Sequence, residues 1–399
     1  MTDARRILVL RGSRAFAYGF SGVLLGVHLA DIFSGTRAGA ILTATLAGSA
    51  ALTFALGTRG DRIGRRRAHV GLSLVMAGAM SVFAFTRSFP ALLAAALTGT
   101  LAAAVLEAGP FVALEQAMLP HVVPERMRNR WFGRYTAVAA IVGSLGALAA
   151  GGPEAIRRSF SGAPSSQRWF ILPAALALLS AVLAAGLSGE VEAPLGEARG
   201  PLQRSRGIVA KLSALFALDG LGGGFVVHAL LVYYFRTRYG TSAEMLGLIF
   251  FGVGVLQSGS FLVASRLADR IGLVNTMVFT HVPSNILLAA VPFAPSEGAA
   301  IALLLSRFAL SQMDVPARQS YVVAVVEPEE RTAAAMFTTT SRAAAQAVSP
   351  AISGPATAAA GSGFPFFVGA GLKIVYDLLL WRSFRTVRTP DEEARRRTR

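Results

Sequence analysis

Six stretches of this sequence, Ala38–Thr58, Ser88–Leu106, Ile171–Ser188, Met245–Ser265, Ile271–Ser296 and Ala343–Leu372, contain no Asp, Glu, Lys or Arg. Each is close to the ~20 apolar residues a helix needs to cross a bilayer, and the last is long enough for one span and part of the next. The apolar character is continuous and not alternating, which excludes a transmembrane β-barrel. Further apolar stretches with few charges fill the intervals. Together they read as spans near 8–31, 38–58, 68–86, 89–117, 132–152, 168–188, 208–235, 244–265, 272–294, 297–325, 332–358 and 362–381. The expected fold is an all-α polytopic membrane protein with twelve transmembrane helices.

Composition narrows the alternatives. Only 15% of the 399 residues are charged and 53% are hydrophobic, against about 25% charged in a soluble domain. That apolar content excludes a disordered chain. The absence of Cys excludes a disulfide scaffold and a thiolate metal site. Arg5, Arg6 and Arg11 precede the first apolar run as they would in a secretory signal, but the run reaches Ala30 with no clean small-x-small site after it, so it reads as an uncleaved first span.

The net charge of +16 follows topology. One set of loops carries Arg5 to Arg11, Arg59 to Arg67, Arg126 to Arg134, Arg199 to Lys211, Arg266, Arg270 and Arg331, and the segment Arg382 to Arg399 joins it. The alternate loops hold Arg37, Arg87, Arg157, Arg158, Arg168, Arg236 and Arg238. The excess marks the cytoplasmic face, with both termini inside, and leaves no charge pattern to explain by nucleic acid.

The chain also repeats itself. Arg59-Gly-Asp-Arg-Ile-Gly64 lies between spans 2 and 3, and Leu267-Ala-Asp-Arg-Ile-Gly272 between spans 8 and 9, with Asp61 and Asp269 offset by 208 residues. Gly22 and His28 match Gly222 and His228; Val123-Pro-Glu-Arg126 matches Pro328-Glu-Glu-Arg331; Glu107 with Pro110 matches Asp314 with Pro316. Two related halves of six helices each keep the same orientation, the parallel-repeat plan of one class of transporters. The expected organisation is a first bundle over 1–187, a cytoplasmic linker over 188–207, a second bundle over 208–384 and a basic tail over 385–399.

The segment Gly57-Thr-Arg-Gly-Asp-Arg-Ile-Gly-Arg-Arg66 resembles the signature loop of the major facilitator superfamily, Gly-x-Leu-Ala-Asp-Arg-x-Gly-Arg-Arg/Lys. Gly57, Asp61, Arg62, Gly64, Arg65 and Arg66 match, while Arg59 and Gly60 depart from it. The second copy keeps Asp269, Arg270 and Gly272 and loses the later basic pair. The resemblance implies a secondary transporter whose signature loop latches the cytoplasmic side by docking on span 11. From the residues themselves, Gly57 is expected to end span 2, Gly64 to allow a tight turn, and Glu115 to pair with Arg65. Positive-inside topology plus a turn is the plainer reading of the same residues.

Ionisable groups within the spans are costly unless paired or facing a cavity. Asp219 sits in span 7 ahead of Gly220, Gly222, Gly223 and Gly224. It has no base within one turn of its own helix, so it is either a proton carrier or the partner of an Arg on another helix, such as Arg14 or Arg307. Asp314 and Arg318 are spaced i,i+4 around Pro316 in span 10, as an ion pair on one face or as a proton- or substrate-linked switch. Glu107 occupies the corresponding place in span 4. These three acids, Asp219, Asp314 and Glu107, are the proton-coupling candidates. Arg307, Arg318, Gln312, Tyr18 and His228 are the substrate and cavity candidates. Arg342, Gln346, Lys373 and Asp377 complete the polar groups of spans 11 and 12.

No phosphate-binding Gly-x-x-x-x-Gly-Lys-Ser/Thr, His-Glu-x-x-His or Gly-x-Ser-x-Gly occurs, so neither ATP nor an enzyme active site is expected, and no cofactor or metal. His69 and His121 read as isolated. The expectation is a monomeric secondary transporter in a bacterial-type cytoplasmic membrane. Its partners would be protons, lipid and a small-molecule substrate, exported as an amphipathic compound. Uptake of a small anionic metabolite met by Arg307 or Arg318 is the alternative within that class. Lipid flipping, or a non-transporting sensor or assembly role, lies outside it.

Overall fold

A computed structural model describes residues 2–101, 109–124, 127–192, 203–327 and 330–385. Among these residues there are sixteen α-helices and no strand. They are α1 Asp3–Ile32, α2 Gly35–Ile63, α3 Arg65–Phe85, α4 Phe89–Leu97, α5 Pro110–Met118, α6 Arg128–Ala149, α7 Gly152–Ser159 and α8 Ile171–Ala185. The rest are α9 Arg206–Gly224, α10 His228–Tyr239, α11 Ala243–Ile271, α12 Leu273–Ala290, α13 Glu297–Ser311, α14 Asp314–Ala324, α15 Arg331–Ala360 and α16 Phe364–Phe384. Among the described residues, ten helical segments are long and apolar enough to cross a bilayer. A helix bonds its own backbone groups, which a lipid environment demands. The chain is an all-α polytopic membrane protein.

Several expected spans are broken helices, and local chemistry explains each break. In span 4, α4 ends at Leu97 just ahead of Gly99, at φ +68°, and α5 begins on Pro110. Span 10 divides at Gln312 and Met313, which puts Pro316 in the first turn of α14, where its missing N–H leaves no bond unmade. Span 7 divides after Gly224. One boundary differs from expectation: α2 runs through Gly57 to Ile63, and it is Gly64 that ends it, at φ +90°. The second copy does the same, α11 ending at Ile271 before Gly272 at φ +87°. A positive φ without strain needs Gly, so these two glycines, not Gly57, make the turn.

Over the described residues the chain forms two compact units. The first comprises Met1–Gly196, Val227–Val255 and Pro350–Ala359. Here α1 packs along α6, α8 and α10, and α3 along α8, with Phe20, Phe83 and Phe170 fully buried. The second comprises Glu197–Val226, Leu256–Ser349 and Ala360–Arg399. Its core joins α9, α12, α14 and α16 through Leu212, Phe216, Met277, Tyr321, Tyr376 and Leu380. Large apolar side chains also point outward, among them Leu74, Val182, Phe279 and Leu378, as a lipid-facing surface requires.

Candidate functional site

The second unit holds a buried charge cluster around Asp219, which is 1% exposed. Three helices supply cations to its carboxylate. Lys373 of α16 donates to Oδ1 at 2.5 Å, and Arg342 Nε of α15 and Arg318 Nη1 of α14 donate to Oδ2 at 2.9 and 3.0 Å. Arg318 Nη1 also lies 3.2 Å from Asp314, the i,i+4 pair that the spacing anticipates. Arg14 and Arg307, the partners expected for Asp219, are not the groups that bond it; Arg318, Arg342 and Lys373 are. The glycines after Asp219 explain how so many side chains reach one carboxylate. A Cβ at Gly220 would lie 2.2 Å from the Arg342 carbonyl oxygen, and one at Gly222 2.9 Å from the Gly369 oxygen and the Lys373 Cγ. Without side chains there, α9 lies directly against α15 and α16.

Adjoining this cluster, Asp377 of α16 meets His281 Nδ1 of α12 at 2.9 Å and accepts from Asn285 Nδ2 at 3.3 Å. Arg307 stands apart from these pairs. It is buried near the end of α13, stacked 4.5 Å over the Phe308 ring, and its Nε and Nη1 have no hydrogen-bond partner among the described residues. Gln312 is half-buried at the α13–α14 break.

The first unit has a smaller cluster with the signs exchanged. Glu115 of α5 is fully buried and each carboxylate oxygen has two partners. Arg14 of α1 donates from Nη1 to Oε1 at 2.7 Å and from Nη2 to Oε2 at 2.6 Å; Tyr135 of α6 donates to Oε2 at 2.7 Å; His69 Nε2 of α3 lies 3.0 Å from Oε1. Phe111 covers it, with the Arg14 guanidinium 4.7 Å and the His69 ring 5.3 Å from its centroid. Spans 1 and 4 thus share an Arg–Glu pair, and spans 7 and 10 an Asp–Arg pair.

This corrects two expectations. Glu115 serves Arg14, His69 and Tyr135. Arg65, at the start of α3, reaches past it to the carbonyls of Ala117 at 2.9 Å and Val191 at 3.4 Å. His69 is not isolated but buried on Glu115. The first turn of α3 is capped by Glu192, whose carboxylate accepts from the N–H of Arg65 at 2.6 Å and of Arg66 at 3.2 Å, and Arg66 also donates to the Leu187 carbonyl at 3.0 Å. That places a carboxylate and two carbonyls of the segment after α8 on the signature turn.

The remaining candidates are placed as follows. Tyr18 donates to the Thr100 carbonyl at 2.8 Å, tying α1 to the break in span 4. His228 packs edge-on to Phe250 at 5.2 Å. Arg270 is exposed. Glu107 and the side chains of Asp61, Arg62 and Asp269 lie outside the described residues. No group of three or more His, Asp or Glu that could hold a metal occurs among the described residues. His281 and Tyr135 belong to no motif and His69 reads as isolated; the signal available was that each lies in or at the start of an apolar stretch, where an unpartnered polar group would be costly.

The family model of the Major Facilitator Superfamily matches residues 7–218. An uncharacterized membrane protein of Saccharomyces cerevisiae is 27% identical over 380 residues, covering 86% of this chain and 85% of its own. The xylose transporter XylE of E. coli, in an inward-open conformation, superposes with a TM-score of 0.75 at 15% identity, covering 98% of each chain. The nucleoside transporter NupG gives 0.72 at 14% identity over 96% of this chain and 100% of its own. The human organic anion transporter MFSD10 gives 0.63 at 20% identity over 95% of this chain and 100% of its own.

Proposed function

The chain belongs to the major facilitator superfamily, and from that premise we propose that it is a proton-coupled secondary transporter of a small solute, working by alternating access. It is an integral membrane transporter of a family without enzymatic chemistry. Proton coupling, the cytoplasmic membrane with both termini inside, a monomeric state and the organisation into two six-helix bundles are our reading.

The observation that carries the coupling is the Asp219 carboxylate shared among Arg318, Arg342 and Lys373 of three different helices. A buried carboxylate so held is stable only while its cations stay in place. Any helix movement or ligand that draws the cations away leaves it more stable protonated than charged. Asp219 would then load a proton when the site reorganises and release it when the pairs reform. Contacts on the other side of the protein support alternation. Arg236 of α10 bonds Asp31 of α1 at 3.1 Å, and the N–H of Ala243 donates to Glu154 at 2.9 Å. These join first-half and second-half spans at the ends away from the signature loop, and outward opening would break them.

The scarcity of fixed charge in the spans favours export of an amphipathic compound on sequence grounds. The paired and unpaired cations of α13 to α16 favour the anionic alternative instead. The test is purified protein in liposomes enclosing a pH-sensitive dye, challenged with anionic, neutral and cationic solutes. Solute-dependent proton movement, lost in Asp219→Asn or Asp314→Asn, is the expected result. Proton movement with no solute, or solute flux that ignores the proton gradient, would overturn the reading.

A further inference from the structure

From the charge balance of the second unit we propose that the transported solute is a soluble oxyanion, a carboxylate or phosphate compound, received by Arg307 together with Arg342 and Lys373, and that it displaces Asp219 from those cations. The proposal rests on the transporter reading above and names its substrate class.

The surplus of cations is the first observation. Arg318, Arg342 and Lys373 bond Asp219, Arg318 also pairs with Asp314, and Arg307, buried on α13 seven residues before Asp314, lies within Coulombic reach of Asp219. The other titratable groups within Coulombic reach of Asp219 among the described residues are Tyr376 and Asp377 on α16 and His281 on α12, which bond or stack with one another. Whether the Asp377–His281 pair carries a net charge of minus one or zero, the cluster keeps at least one positive charge uncompensated. Such a surplus, at a depth where burial is costly, is relieved by an anion.

The second observation is Arg307 itself. It is 6% exposed, yet two of its three guanidinium nitrogens, Nε and Nη1, have no acceptor among the described residues. A carboxylate or phosphate brings several acceptor oxygens and a negative charge together, which is what these buried donors lack. Arg342 provides access: its side chain is 30% exposed although its Nε holds Asp219. An arriving oxyanion therefore meets Arg342 first and competes with Asp219 for it.

The exchange accounts for coupling. Oxyanion oxygens replace Asp219 oxygens on Arg342 and Lys373, and the released carboxylate takes one proton from water on the side from which the anion came. One anion and one proton then cross together, as symport. On the far side the proton leaves Asp219, its pairs with the cations reform, and the anion is expelled.

The experiment measures thermal unfolding in lipid-free detergent with succinate, inorganic phosphate, phosphatidylglycerol, xylose, uridine or tetraphenylphosphonium added. Each soluble compound is then tested for proton movement in liposomes. Succinate or phosphate should raise the melting temperature. Arg307→Met should retain or exceed the wild-type melting temperature without ligand and weaken the anion effect at least tenfold, with Arg307→Lys recovering part of it. Asp219→Asn, freed of the competing carboxylate, should bind the anion more tightly while moving no proton. Stabilisation by phosphatidylglycerol alone, by xylose, uridine or the cation alone, or by no compound, overturns the proposal. So does an Arg307→Met variant that melts as low as Asp219→Asn without ligand, which would make Arg307 a structural partner. Proton movement driven by xylose or uridine would sink the anion while leaving coupled transport standing. Anion binding without any proton movement would sink both the displacement step and the coupled reading.

Discussion

Arg14 holds Glu115 by both oxygens, at 2.7 and 2.6 Å, across spans 1 and 4, and it does so with neither side chain more than 1% exposed. A fork-to-fork pair of this kind, closed by Tyr135 and His69, leaves the carboxylate no spare acceptor capacity. The pair is the counterpart, with charges exchanged, of Asp219 and Arg318 across spans 7 and 10.

Removing one partner should therefore be far worse than removing both. Glu115→Leu strands a buried guanidinium and should lose ~3–5 kcal/mol of stability. Arg14→Met with Glu115→Leu should recover most of it. Denaturation in detergent of the two single variants and the double variant checks this; equal losses in all three would show that the charges do not depend on each other.

The glycines of α9 should be intolerant of even one added carbon. A Cβ at Gly220 would lie 2.2 Å from the Arg342 oxygen, whereas one at Gly71 in α3 would meet nothing within 4 Å. Gly220→Ala should cost about 1–3 kcal/mol through overpacking. Gly71→Ala should be neutral or stabilising by up to ~1 kcal/mol, since Ala is the better helix former. Paired melting curves of the two variants distinguish local packing from helix propensity.

Glu330, in the loop before α15, should make stability depend on pH in the acid range. Its carboxylate accepts from the N–H of Gln203 at 2.5 Å, then of Ser205 and Arg204 at 2.8 Å each, and these bonds lower its pKa from the ordinary carboxylate value to about 2. The folded value lies below the unfolded one. The stabilisation is therefore complete above the usual carboxylate range near 4.5 and fades as pH falls toward about 2. Glu330→Gln should melt below the wild type at pH 7, with the gap closing between those values. A gap that persists unchanged at pH 2 would assign the effect to shape and not charge.

Topology is open to a direct chemical test because the chain contains no Cys. Ser161→Cys, exposed after α7, should react with a membrane-impermeant maleimide added to intact cells. Arg385→Cys, exposed beyond α16, should react only after the membrane is permeabilised. The reverse pattern would invert the orientation read from the Arg-rich loops.

Much of the architecture follows from one-dimensional information. Charge-free stretches of membrane-spanning length can only be helices in lipid, and the two Gly-terminated turns at Gly64 and Gly272 are visible as a repeated motif. The i,i+4 pair of Asp314 and Arg318 is legible because helix geometry converts spacing into proximity. What no spacing encodes is which cation meets which carboxylate. Asp219 lies 99 residues from Arg318, 123 from Arg342 and 154 from Lys373, and Arg14 lies 101 from Glu115. Those pairings depend on helix rotation and on how closely α9 approaches its neighbours. Buried charges settle where packing and Coulomb attraction agree, and only the folded chain brings both to bear.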